Sequence, residues 1–94
     1  MFKWLQEWYK LQCEKDWEPS ISLITIDNPG WRLKIDLRGT EYSGLTMKLK
    51  KIDRTESDWY QCWIENNIWN AACGTLNLEE IIGEFRAFIN SQKE

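Results

Sequence analysis

The stretch Asp27-Asn28-Pro29-Gly30-Trp31, continuing as Arg32-Leu33-Lys34-Ile35-Asp36-Leu37, decides how the rest of this chain is read. Asn-Pro-Gly is turn chemistry: proline presets φ near about −65°, and glycine accepts positive φ without steric cost. After the turn, Trp31, Leu33, Ile35 and Leu37 alternate with Arg32, Lys34, Asp36 and Arg38. A period of two, with one apolar and one charged face, predicts a half-buried antiparallel strand. Ile21-Ser22-Leu23-Ile24-Thr25-Ile26 precedes the turn and is also β-prone. The unit is a hairpin, Ser20 to Asp27 and Trp31 to Arg38. In its first strand Ile21 and Leu23 share one parity, Ile24 and Ile26 the other. That mismatch calls for a β-bulge near Leu23-Ile24 or burial on both faces.

Downstream, Gly39 to Gly44 reads as a connection, and Leu45, Met47 and Leu49 alternate with Thr46, Lys48 and Lys50 as a third strand. Its parity slips at Lys51-Ile52. A fourth strand follows the Glu56-Ser57-Asp58 turn, with Tyr60, Cys62 and Ile64 on one face and Trp59, Gln61 and Trp63 on the other. Asn66-Asn67 suits a two-residue type I′ turn, because asparagine tolerates the left-handed region. Ile68 to Cys73 is then a short fifth strand, ended by Gly74.

Helices are expected at both ends. From Phe2 to Cys13, Met1, Trp4, Leu5, Trp8 and Leu11 fall at helical spacing, with Tyr9 widening the stripe. Pro19 places the stop near Glu14 or Lys15. The second helix runs from Leu78 to about Asn90, with Asn77 as N-cap and Glu80 completing a capping box. Leu78, Ile81, Ile82, Phe85, Phe88 and Ile89 form its apolar stripe. The fold class is α+β: about five mainly antiparallel strands between two helices, in the order α-β-β-β-β-β-α. Strand order stays open between one curved sheet, with both helices on one face, and a half-barrel.

A chain of 94 residues is expected to form one domain over residues 1–94. Seven tryptophans supply bulk for so small a core, and one or two are expected to be partly exposed. The net charge of −3 is unevenly spread. Residues 32–54 hold seven basic groups against three acidic ones, and residues 56–94 hold seven acidic groups against two basic ones. This segregation allows a bipolar domain that steers a charged partner, or simply solvated sheet and helix faces. The N-terminus lacks the apolar core of a signal peptide, and no run approaches the ~20 apolar residues of a membrane span. A soluble, cytoplasmic chain with no membrane partner is expected.

Most catalytic chemistry is missing. With no histidine, Ser-His-Asp and Cys-His machinery is excluded and the commonest zinc ligand is gone. Three scattered cysteines form neither a disulfide framework nor a metal motif. No phosphate-binding loop or dinucleotide fingerprint occurs, so neither metal nor cofactor is expected. Cys73, in Ala71-Ala72-Cys73-Gly74-Thr75 ahead of a helix, is the one candidate nucleophile. The loop has a loose likeness to that of rhodanese-type sulfurtransferases. It lacks their anion-binding basic residues, and a structural cysteine is the plainer reading.

Trp4-Leu5-Gln6-Glu7-Trp8-Tyr9 with Cys13, Asp16-Trp17-Glu18, Leu23 to Leu37, and Asn77-Leu78-Glu79-Glu80-Ile81 followed by Phe85 stand in this order along nearly the whole chain. In that combination the chain resembles the immunity protein 53 family of bacterial polymorphic toxin systems. The resemblance implies a small intracellular protein, encoded beside a toxin, that binds the toxin and blocks it. It implies no catalytic residue and no cofactor. A nanomolar complex needs about −12 kcal/mol, and such interfaces bury roughly 1,600 Å² around aromatic anchors. If the toxin is a nuclease with a basic cleft, acidic loops and strand ends are its complement. Asp16, Trp17, Glu18, Asp58, Glu65 and Trp69 are the contact residues expected on that ground. A Cys73 sulfurtransferase ranks second. A scaffold or nucleic-acid adaptor using residues 32–54 ranks third, since no nucleic-acid motif is present and none is expected as a partner. Whether the chain dimerises is left open by the sequence.

Overall fold

A computed structural model describes residues 2–16 and 19–92. Helix α1 spans Phe2–Glu14, strands β1 to β5 span Ile21–Ile26, Gly30–Asp36, Met47–Asp53, Trp59–Glu65 and Ile68–Cys73, and helix α2 spans Leu78–Ser91. The fold is α+β, with all five strands in one antiparallel sheet ordered β1-β2-β5-β4-β3. β5 lies in the middle, and Trp69, Asn70, Ala71, Ala72 and Cys73 are all buried in it. No helix among the described residues is long and apolar enough to cross a membrane.

Cross-strand partners share a face. Leu33 and Ile35 of β2 therefore join Tyr60, Cys62 and Ile64 of β4 and Trp69, Ala71 and Cys73 of β5 in one apolar surface. α2 lies on it, and α1 packs against α2. Phe85 of α2 packs its ring edge-on against Trp69 at 5.1 Å and Trp8 of α1 at 5.0 Å, so one side chain joins the three layers of packing. The other face of the sheet carries Arg32, Lys34, Gln61, Trp59 and Trp63 and has no helix over it.

The structure bears out the Asn66-Asn67 turn, where both residues take positive φ. Four of the described tryptophans, Trp4, Trp31, Trp59 and Trp63, are half-buried. Other details differ. β1 has neither a bulge nor burial on both faces: it pairs with β2 in unbroken register, as an edge strand with Leu23 and Ile24 exposed. In β3 the register shifts between Met47 and Lys50, earlier than the Lys51-Ile52 slip, and leaves Leu49 exposed. On α1, Leu11 faces solvent and Gln12 takes the buried position; the stripe is Leu5, Trp8 and Gln12. Met1 lies outside the described residues.

The hairpin turn itself is built differently from its sequence signal. The Asn28–Pro29 peptide bond is cis, and Gly30 does not have positive φ. Gly30 is required by proximity: a Cβ there would stand 2.0 Å from the Cys73 carbonyl oxygen of β5. At α2, Asn77 makes no side-chain capping bond. Its amide nitrogen instead donates to Glu80 Oε1 (2.6 Å) and Asp58 Oδ1 (2.8 Å).

Candidate functional site

Asn77 belongs to a cluster that closes one end of the sheet. Arg54 donates to Asp58 and to Glu80, the latter at 2.7 Å, and so ties the β3–β4 turn to the first turn of α2. The arrangement holds the Asp58 and Glu80 carboxyls below the usual carboxylate range, mainly through Arg54 and then through Asn77. Next to it, Trp31 Nε1 donates to the Thr75 carbonyl at 3.1 Å and the Gly74 N–H to the Trp59 carbonyl at 3.0 Å. At the sheet's lateral edge, Lys50 of β3 forms an ion pair with Glu84 of α2. Lys50 and Arg54 thus carry ion pairs from the basic segment to the acidic one, whereas Arg38 and Lys51 pair within their own segment, with Asp36 and Asp53.

The opposite end holds the β4–β5 turn, the end of β2 and the loop 37–44. Asn67 organises it: its carbonyl accepts from the Leu37 N–H at 2.8 Å, and its side-chain oxygen from the Gly44 N–H at 2.7 Å. Lys15, just past α1, reaches Glu41 of the loop at 3.5 Å, which brings Asp16 to this end as well. Glu65, the last residue of β4, is exposed here. It lines a shallow hollow of about 360 Å³ with Met47, Leu49, Gln61, Trp63 and Ile64. Half-buried Trp63 and exposed Leu49 give that hollow an apolar floor. Among the described residues, Asp16 and Glu65 have no ion-pair partner.

The six expected contact residues are thus not one patch. Asp16 and Glu65 share an end. Asp58 sits at the other end, already occupied by Arg54 and Asn77. Trp69 is wholly buried, with its indole against Phe85, and offers no surface to a partner; β5 runs through the middle of the sheet, and position 69 points to the helices. Trp17 and Glu18 lie outside the described residues. Alternation in the sequence sets Trp63 with Trp59 and Gln61 and groups Leu49 with Leu45 and Met47, and nothing in it brings Trp63 and Leu49 together. Their signal was the bulge in β3, which turns Leu49 onto the uncovered face.

Cys73 is fully buried at the end of β5, and burial pushes its thiol up to about 11. Cys62 is buried and pushed up to about 11 in the same way. Both are therefore thiols at neutral pH, not the thiolates that a nucleophile requires. Among the described residues, no group of three or more histidine, cysteine or acidic side chains is placed to hold a metal ion.

Comparison with known proteins gives one result, which concerns the chain as a whole. The family model described as Immunity protein 53 matches residues 2–90. Neither a curated protein nor a solved structure matches the chain.

Proposed function

The chain belongs to the immunity protein 53 family, and from that premise we propose that it neutralises its cognate toxin by stoichiometric binding in the cytoplasm, without catalysis. Membership of the family is the observation that carries this reading, since an immunity protein acts against a toxin. The contact surface is the end of the sheet that holds Asp16 and Glu65, together with the hollow floored by Trp63 and Leu49. An aromatic anchor beside Glu65, which has no ion-pair partner among the described residues, is suited to a basic protein surface, such as the substrate cleft of a nuclease. Desolvating Glu65 against a toxin lysine or arginine breaks no ion pair among the described residues. Asp58 would first have to give up Arg54. No observation favours the sulfurtransferase, because its nucleophile is a buried thiol.

Co-expression with the toxin domain encoded beside this chain tests the proposal. Growth should be restored by the wild type and equally by Cys73→Ala, which keeps a small apolar side chain in the core. Failure of the wild type to protect, or loss of protection in a folded Cys73→Ala variant, would overturn it.

A further inference from the structure

A sheet edge presents unpaired N–H and C=O groups, and soluble proteins guard such edges with lysines, bulges or covering segments. β3 is guarded in this way: it carries Lys48, Lys50 and Lys51, and its register is broken between Met47 and Lys50. Among the described residues, β1 has none of these devices. Ile21–Ile26 contains no charged residue, keeps regular register, pairs with β2 alone, and is exposed from Ser22 to Thr25. Leu23 is 39% and Ile24 52% exposed. The Asp36 N–H donates to the Ser20 carbonyl, so residues 20, 22, 24 and 26 turn their backbone groups to β2. Ile21, Leu23 and Thr25 turn theirs outward.

We propose that the β1 edge pairs with β1 of a second copy of this chain, antiparallel about a two-fold axis at Leu23, to join two five-stranded sheets into one. Charge selects this occupant. Two-fold pairing sets each strand against itself, so β3 would bring lysines together, whereas neutral β1 is its own complement. The parity is also right. With Leu23 opposite its counterpart, Ile21 faces Thr25, all three outward-turned residues meet as hydrogen-bonded pairs, and both helix layers stay on one side. The apolar surface extends beyond the strand: Tyr9 of α1 borders Ile21, and Phe2, seven residues earlier, shares its flank, each more than 40% exposed.

Sedimentation of the purified chain across the micromolar range tests the pairing. The expected mass is twice the 11.3 kDa of the protomer. Leu23→Lys, which places two ammonium groups on the axis, should halve that mass with an unchanged circular dichroism spectrum. Thr25→Pro should do the same, because it removes an outward N–H while sparing the ladder to β2. Leu49→Lys on the guarded edge should leave the dimer intact. A monomeric wild type would overturn the proposal, and so would a dimer that survives in both folded β1 variants. A monomer whose Leu23→Lys variant loses toxin binding would assign the edge to the toxin instead, also against self-pairing.

Discussion

Where β2 begins and β5 finishes, backbone meets backbone. Gly30 lies against the Cys73 carbonyl, a Cβ on Gly74 would stand 2.3 Å from the Ser57 carbonyl, and Arg54 and the Asn77 side-chain nitrogen both donate to Asp58 and Glu80, leaving only Asn77 Oδ1 of this cluster buried without a partner among the described residues. At the far end the backbone is just as well tied, through Asn67, but its acidic side chains Asp16 and Glu65 point to solvent. At the first end the charges are tied into the fold; at the other, Glu41 and Asp36 pair with Lys15 and Arg38, while Asp16 and Glu65 have no ion-pair partner among the described residues. Exposed charge by itself does not mark a binding surface, since Arg54 and Asp58 are also solvent-accessible. What separates Asp16 and Glu65 from them is the lack of an ion-pair partner among the described residues.

The largest expected effect lies at the tied end. Gly30→Val forces a branched side chain into the space of the Cys73 carbonyl, and overpacking of this kind should cost about 3 kcal/mol or more. Chemical denaturation measures it. A variant as stable as the wild type would show that the Cys73 carbonyl leaves room for a side chain at position 30, against the close-approach account.

A smaller effect is expected for Arg54→Ala, and it has a pH signature. Arg54 lowers the Asp58 and Glu80 pKa values from the ordinary 3.8 and 4.5. A carboxylate lowered by folding stabilises the protein fully above its unfolded value, and that stabilisation disappears as pH falls through the folded value. The melting temperature of Arg54→Ala should therefore lie below that of the wild type at neutral pH. The gap should narrow as pH falls below the ordinary values of 4.5 and 3.8 and close once both carboxyls are protonated in the folded protein. Solvent exposure keeps it small. A gap that persisted in acid would show Arg54 to act by packing.

The smallest effect on stability belongs to the free end. Asp16→Asn, which keeps a residue suited to positive φ, and Glu65→Lys should each leave stability within about 0.5 kcal/mol of the wild type. A larger loss in thermal melts would mean that these acids serve the fold, and the contrast between the two ends would fail.

Local chemistry made much of this architecture legible. The alternation of Tyr60, Cys62 and Ile64, the Asn66-Asn67 turn and the stripe of α2 are set by neighbours in sequence, and all appear where the pattern placed them. Strand order is a long-range property: nothing local says that β5 passes between β2 and β4. Trp69 was misplaced for the same reason, as a tryptophan near a turn reads as exposed until its strand is known to be central. Asp58 reads as a free turn acid because one of its two partners, Asn77, lies nineteen residues away and the other, Arg54, is committed to it only once Glu80 closes the cluster. Gly30 was assigned to the right turn for the wrong cause, because close approach to a distant carbonyl leaves no mark on the local sequence. Of the contact surface, Glu65 and Asp16 could be reached from the sequence, whereas the Trp63–Leu49 floor depends on a bulge in β3.

Isothermal calorimetry of this chain against its cognate toxin domain tests the central claim most directly. The account predicts one-to-one binding of nanomolar affinity, weakened at least about tenfold in Asp16→Asn/Glu65→Lys, a loss of about 1.4 kcal/mol. Protection of cells by a folded chain that shows no binding to the toxin would contradict it.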